Sequence, residues 1–517
     1  MKLNYRRTIL VGFAFFLISA FWQAYDATIP VILTNKFGMS QTWSGVIMAL
    51  DNILAVFLLP FFGALSDKCL GNKYGKRTPF ITIGTVIAAL ALVGLSFVDN
   101  AQLRNISDVA VIDDPAALEI VYEAESQETL QTPEGDKFIL GEIFTKEEFS
   151  AIRLKVTDAS GKEITNPDYT NYVAPARQAY AADVTADNPA PLVCFIILLL
   201  VVLIAMATFR SPAVALMPDV TIKPLRSKAN AVINLMGTAG GILVLVLGMV
   251  FSTSNVKNAL MRYNTFYGII AAIMLGALAI FLLTVREKKW AAQMRSDSVK
   301  YGIEEAEEES GEKRGLTASE KKSLILILLS IALWYFGYNA VTSKYSVYAG
   351  NILDKDYNTT MLLAQAAAII AYLPAGMVAS KIGRKKTILA GVVMLATAFT
   401  AAAFMRSGSP TWLMNVFFAL AGVAWATINV NSFPMVVEMC SGADIGKYTG
   451  FYYTASMTAQ IITPMLSGFL MDQLGMTILF PYAAIFVALA FVTMSLVKHG
   501  DAKIIAKKGL EALDIDD

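Results

Sequence analysis

Apolar runs long enough to cross a hydrocarbon core of about 30 Å recur twelve times along this chain. They fall near residues 8–33, 43–65, 78–98, 191–215, 229–252, 264–284, 323–348, 359–379, 387–405, 411–437, 448–471 and 477–497. In lipid a backbone has no water to bond, so each run is restricted to a helix that satisfies its own peptide groups. Composition agrees: 56% apolar and 16% charged residues over 517 positions is too apolar for a soluble domain of this size. The expected fold is an all-α integral membrane protein with twelve transmembrane helices.

The chain also repeats itself. Tyr25-Asp26-Ala27 is followed, 38 residues after Tyr25, by Gly63 opening the basic loop GALSDKCLGNKYGKRTP. Tyr338-Asn339-Ala340 is followed, again 38 residues on, by Gly376 opening GMVASKIGRKK. The offset is 313 residues both times, which makes two six-helix pseudo-repeats. Duplicated membrane halves around a central site are the architecture of many secondary transporters, so movement of a small solute is the first functional expectation. The corresponding domains are a first bundle over 1–284, a linker over 285–322, a second bundle over 323–497 and a tail over 498–517.

Positive loops stay in the cytoplasm. Basic residues gather at Lys2, Arg6 and Arg7, at Lys68 to Arg77, Lys223 to Lys228, Arg286 to Lys289, Lys381 to Lys386 and Lys498 to Lys508. Both termini are expected inside a cell membrane, and the first run is too long for a cleaved signal. The net charge of +1 hides this asymmetry and gives no reason to expect a nucleic-acid partner. Cys69, Cys194 and Cys440 lack metal or disulfide spacing. No Ser/His/Asp set, metal cluster or phosphate loop suggests an enzyme or a cofactor.

Two stretches stand apart. Residues 99–189, outside the cell on this topology, carry 18 acidic and 7 basic side chains. Alternating runs at 117–122, 138–144 and 152–156 and turns at 133–135 and 158–161 predict a small β-rich insertion. It is either a lid or partner-binding module or a tolerated loop. Residues 285–322, with the acidic run 304–309, are expected to be a solvated linker.

The basic loops, Gly63-x-x-Ser66-Asp67-Lys68 with Gly75-Lys76-Arg77 and their second copy over 376–386, resemble the corresponding loops of the major facilitator superfamily. Within it, Ser66-Asp-Lys-Cys69, Gly75-Lys-Arg-Thr-Pro-Phe80, Arg210-Ser-Pro-Ala-Val-Ala-Leu-Met-Pro-Asp219 and Arg226 to Gly237 are similar to the glycoside:cation symporters, among them the plant sucrose:proton symporters. The resemblance implies import of a glycoside, often a disaccharide, with a proton or sodium ion. Leu203, Ala55 and Leu59 depart from acidic positions of that group. An exporter or symporter of another polar solute, and a transporter-derived sensor using the outer module, remain alternatives.

The residues themselves suggest roles. An ionisable group inside a span is costly and marks function by default. Asp26 and Asp51 count to one depth, so with Asn52 they are candidates to share a proton or to ligate sodium. Trp22, Gln23 and Tyr25, matched by Trp334, Tyr335, Tyr338 and Asn339, together with Trp425 and Asn429, supply the aromatic faces and amides a sugar needs. Gly63, Asp67, Lys76, Arg77 and Asp219 in one half, and Gly376, Arg384 and Glu438 in the other, are candidates for the gate. Arg210 either pairs with a carboxylate or substrate or anchors the cytoplasmic end of its helix. A monomer in the bilayer is expected, and no metal or cofactor.

Overall fold

A computed structural model describes residues 3–69, 71, 74–157, 161, 163–222, 225–300, 316–437, 439 and 445–500. Among these residues twelve long helices form the bundle. In the first half these are α1 (Tyr5–Asn35), α2 (Gln41–Lys68), α3 (Thr78–Asn105), α8 (Ala190–Val220), α9 (Arg226–Phe251) and α10 (Asn264–Thr284). In the second they are α12 (Ala318–Tyr348), α13 (Tyr357–Ile382), α14 (Arg384–Ala403), α15 (Thr411–Val437), α16 (Ile445–Leu474) and α17 (Leu479–Ser495). Ten of these helices are each long and apolar enough to cross a membrane among the described residues, and α13 and α16 complete the two sets. The chain is a multi-pass membrane protein.

The repeat in the sequence is a repeat in packing. α1 packs on α9 and α10, and α3 on α8; at the equivalent places α12 packs on α16 and α17, and α14 on α15. The halves meet in the same reciprocal way, with α2 against α16 and α13 against α9. Close approach at the α2–α16 seam requires glycine, since a Cβ on Gly45 would strike the carbonyl of Pro464 and one on Gly468 that of Gln41. Each half has its own apolar core, around Phe21, Phe209 and Phe281 in the first and Trp334, Tyr345 and Phe480 in the second.

Between α3 and α8 lies the inserted module: α4 (Pro115–Glu125), α5 (Leu140–Ile143), α6 (Lys146–Ala151) and α7 (Ala174–Asp187), with hairpins β1 (Thr129–Gln131) to β2 (Lys137–Ile139) and β3 (Lys155–Thr157) to β4 (Glu163–Thr165). The expected strand over 117–122 is helix instead. Asp114 caps it through the amide of Ala116, Pro115 stands at its first turn, and Ala, Leu and Glu follow, which are start signals and helix formers that outweigh a short alternation. Leu118, Val121, Phe149 and Tyr169 close a third apolar core of its own. The membrane helix α3 also continues past residue 99 to Asn105, because Asp99 and Gln102 are fully buried there.

The linker is not wholly solvated: α11 (Glu287–Lys300) packs on α8, with Glu287 and Trp290 buried. Residues 304–309, Glu438, Cys440 and the tail from 501 lie outside the described residues. The bundle thus has a face bearing the module and an opposite face bearing the termini.

Candidate functional site

Three helices of the first half, α1, α2 and α8, aim charged side chains at the space between the halves. On α1, Asp26 lies nine residues above the helix end at Asn35, and on α2, Asp51 lies ten residues after Gln41. At about 1.5 Å per residue both sit roughly 14 to 15 Å below the module face. They are close enough to repel one another. Asn52 donates to Asp51 at 2.8 Å. On α8, Arg210 attracts Asp51 and places its guanidinium 5.7 Å from the ring centroid of Trp22, in cation–π range. Arg210 thus stands beside Asp51 and Trp22, a little over two helical turns from Asp219 near the helix end.

The second half supplies an aromatic wall. The rings of Tyr338 and Trp425 stack 3.6 Å apart and 4° from parallel, and Tyr335 meets Trp425 edge-on at 5.2 Å. Tyr372 on α13 bonds Asn429, and Tyr335 bonds Tyr452. Two bonds cross between halves at this level: Gln365 donates to Gln23 at 2.6 Å, and Gln23 donates to Tyr357 at 3.2 Å. Four of the predicted sugar-contact residues keep a buried polar atom without a protein partner, the indole nitrogens of Trp22 and Trp334, the hydroxyl of Tyr25 and the amide nitrogen of Asn339. A buried donor left unpaired costs about 1–3 kcal/mol, so a bonding partner at such an atom would be stabilising. Trp334 differs from the other three in its place. It is fully buried within the core of the second half.

At the face bearing the termini the predicted charges converge within the first half. Arg77 bonds Asp219 at 2.9 Å and also Asp67 and Ser66, while Lys76 stands 3.5 Å from Asp219 and 4.0 Å from Asp67. The cluster ties α2, α3 and α8 together. Gly63 allows it, since a Cβ there would lie 2.8 Å from Ser211 on α8. Sequence reasoning missed its keystone: Glu287 of α11 accepts from the amides of Lys76, Arg77 and Thr78 at 2.7, 2.9 and 2.8 Å, capping α3 with a charge at its N-terminus. In the second half Gly376 and Arg384 are buried at corresponding places.

The module face is latched across the halves by residues that the sequence reading also missed. Asp472, on the last turn of α16, accepts from the amides of Gln41 and Thr42 at 2.8 and 2.7 Å and from the Thr42 hydroxyl at 2.5 Å. Lys344 of α12, fully buried, donates to the Gln41 carbonyl at 2.5 Å. Asp356 receives Ser254 and the amide of Thr359, and Asn358 donates to Thr253 at 3.1 Å. The available signal was a charge near the end of an apolar run, facing a partner far away in sequence.

Residues 10–103 match the profile of the MFS/sugar transport protein family, and residues 355–512 that of the Major Facilitator Superfamily. The two matches fall one in each half. Both halves are thus similar to major facilitator superfamily proteins. The matched families are families of transporters, not of enzymes. The fold is shared with solved structures: an inward-open structure of the xylose transporter of E. coli aligns over 99% of both chains with a TM-score of 0.59 at 14% identity. A D-xylose-proton symporter aligns over 97% of this chain and 100% of its own with a TM-score of 0.57 at 14% identity. Curated relatives share shorter segments. An MFS-type transporter of Metarhizium rileyi is 26% identical over 142 residues, which is 27% of this chain and 29% of that protein. A sucrose transport protein of Arabidopsis thaliana is 37% identical over 68 residues, 13% of this chain and 11% of its own.

Proposed function

We propose that this protein carries a glycoside across the membrane together with a proton, by alternating access around the space between its halves. One observation carries the reading. Acidic and basic groups, Asp26, Asp51 and Arg210, stand on one side of that space, and the stacked Tyr338 and Trp425 with adjoining amides stand on the other. A sugar presents an apolar C–H face suited to such rings and hydroxyls suited to the unpartnered Trp22 and Asn339 nitrogens. Similarity to a sucrose transport protein and likeness in fold to a xylose–proton symporter support the substrate class and the ion.

The coupling groups are Asp26 and Asp51. Two neighbouring carboxylates in a low-dielectric site repel one another, which favours holding a proton. The fixed charge of Arg210 beside Asp51 suits a proton better than a sodium ion, which it would repel. Protonation would free Arg210 for substrate, and return of the proton to water would restore the pair. The face bearing the termini is cytoplasmic on the basic-loop rule, so the latched module face is the outer gate and this conformation is closed to the outside. The bundle works as a monomer. Uptake by the reconstituted protein across a panel of sugars, with and without a proton gradient, tests this: accumulation that collapses with the gradient is expected, and gradient-independent or absent movement of every sugar would overturn it.

A further inference from the structure

The inserted module touches both halves, and we infer that it is a brace that holds the latched module face shut. Its attachment to the first half is continuous and firm. It grows out of α3 and into α8. Gln102 of α3 donates at 2.9 Å both to the Lys36 carbonyl and to Thr185 of α7, and Gln178 of α7 donates to the Met39 carbonyl at 3.2 Å. Gly38, at φ +64°, lies against the backbone of Ala182 with no room for a side chain. With its own core, the module moves with the first half as one body.

Its other end grips the second half. The turn between β1 and β2 is closed by Thr132 and Asp136 at 2.9 Å and by Gly135 and Thr132 at 2.9 Å. That turn lies against the corner between α16 and α17, where Met476 donates its amide to the Pro133 carbonyl at 2.7 Å, and against the connection between α14 and α15, where Arg406 pairs with Glu134 at 3.3 Å. Gly135 and Gly475 meet back to back, both at positive φ, and a Cβ on Gly135 would lie 2.7 Å from the Leu474 carbonyl. This corner begins two residues after Asp472, the acid that holds the start of α2. Opening the module face must pull Asp472 from Gln41 and Thr42, and it must also pull the corner from the hairpin. A loop merely tolerated between α3 and α8 would have no need to reach across to the other half.

The inference rests on the alternating-access reading only in that the face must open, and it is tested without any substrate. In full-length protein in detergent, with Cys69, Cys194 and Cys440 replaced by Ser, the reporter is Ser346→Cys. Ser346 is buried on α12 at the junction of the module and both halves. Its labelling by a maleimide follows opening. Glu134→Arg, which sets like charges against each other at Arg406, should raise the labelling rate about two- to fivefold, the scale of an exposed pair. Adding Arg406→Glu in the same chain should restore the slow rate, which a misfolded variant would not do. Equal labelling in all three chains overturns the brace. Faster labelling with rescue, in a protein that moves no sugar, supports the brace and counts against the proposed substrate instead.

Discussion

Lys36 and Asp99 form a two-pronged ion pair, at 2.6 and 2.7 Å, with neither side chain exposed. The ammonium also donates to the Met261 carbonyl at 2.7 Å and lies 4.9 Å over the ring of Tyr263. The pair pins the end of α1 to α3 and to the start of α10, where the module takes root. Removing one partner strands a buried charge, which typically costs about 3–5 kcal/mol. Asp99→Ala is therefore expected to lower the thermal unfolding midpoint in detergent by several degrees. Lys36→Met with Asp99→Leu, which removes both charges, should lose much less.

Asp26→Asn is expected to abolish gradient-driven accumulation while leaving sugar exchange. The amide keeps the hydrogen-bonding shape but cannot release a proton, and the second half already carries Asn339 at the repeat-equivalent position. Full concentrative uptake by the variant, measured in proteoliposomes, would remove Asp26 from the coupling step.

The two halves, their six helices each and the shared depth of Asp26 and Asp51 were legible in the sequence because membrane burial imposes long apolar runs and because the duplication left Tyr25 and Tyr338 in register. The cluster of Asp67, Lys76, Arg77 and Asp219 was legible for the same reason. Glu287, Lys344 and Asp472 were not. Each acts on backbone groups contributed by a segment more than 200 residues away, and no periodicity encodes such a pairing. Trp334 shows the converse error: the repeat placed it correctly on its helix, yet it sits one residue from Tyr335, a rotation of about 100°, and so faces the core instead of the central space. In the module, the short alternation of 117–122 was outweighed by the cap at Asp114 and by an apolar stripe that α6 and α7 cover.

Asp472→Ala should weaken closure of the module face. It deletes three acceptor bonds to the start of α2 and leaves Lys344 buried without its neighbouring charge. Hydrogen bonds to a charged group contribute about 1.5–3 kcal/mol each, enough to tilt two states of similar energy. Spin labels at Trp43→Cys on α2 and Trp412→Cys on α15, both exposed, read the result as a distance distribution. The variant is expected to gain a longer component, and an unchanged distribution would exclude Asp472 from the gate.

Glu125 gives the module a pH dependence. It closes α4 with only 1% of its surface exposed, and one carboxyl oxygen has no partner. Burial comes first, then Asp183 of α7 and Glu128, and together they push its pKa up to about 7. Tyr180 of α7 also faces it. Lys146 of α6, the cation packed on α4, is engaged by Glu119 and Glu123 instead, at 3.1 and 2.6 Å. A carboxyl whose folded pKa lies above its unfolded value of about 4.3 holds its proton more tightly when folded. The module should therefore be most stable in acid, lose stability as pH rises from about 4.5 to 7, and change little above that. Hydrogen exchange in α4 and α7, corrected for the intrinsic rate, should speed up between pH 5.5 and 8. Glu125→Gln, neutral throughout, should remove most of the difference, and a variant that retained it would assign the titration to another group.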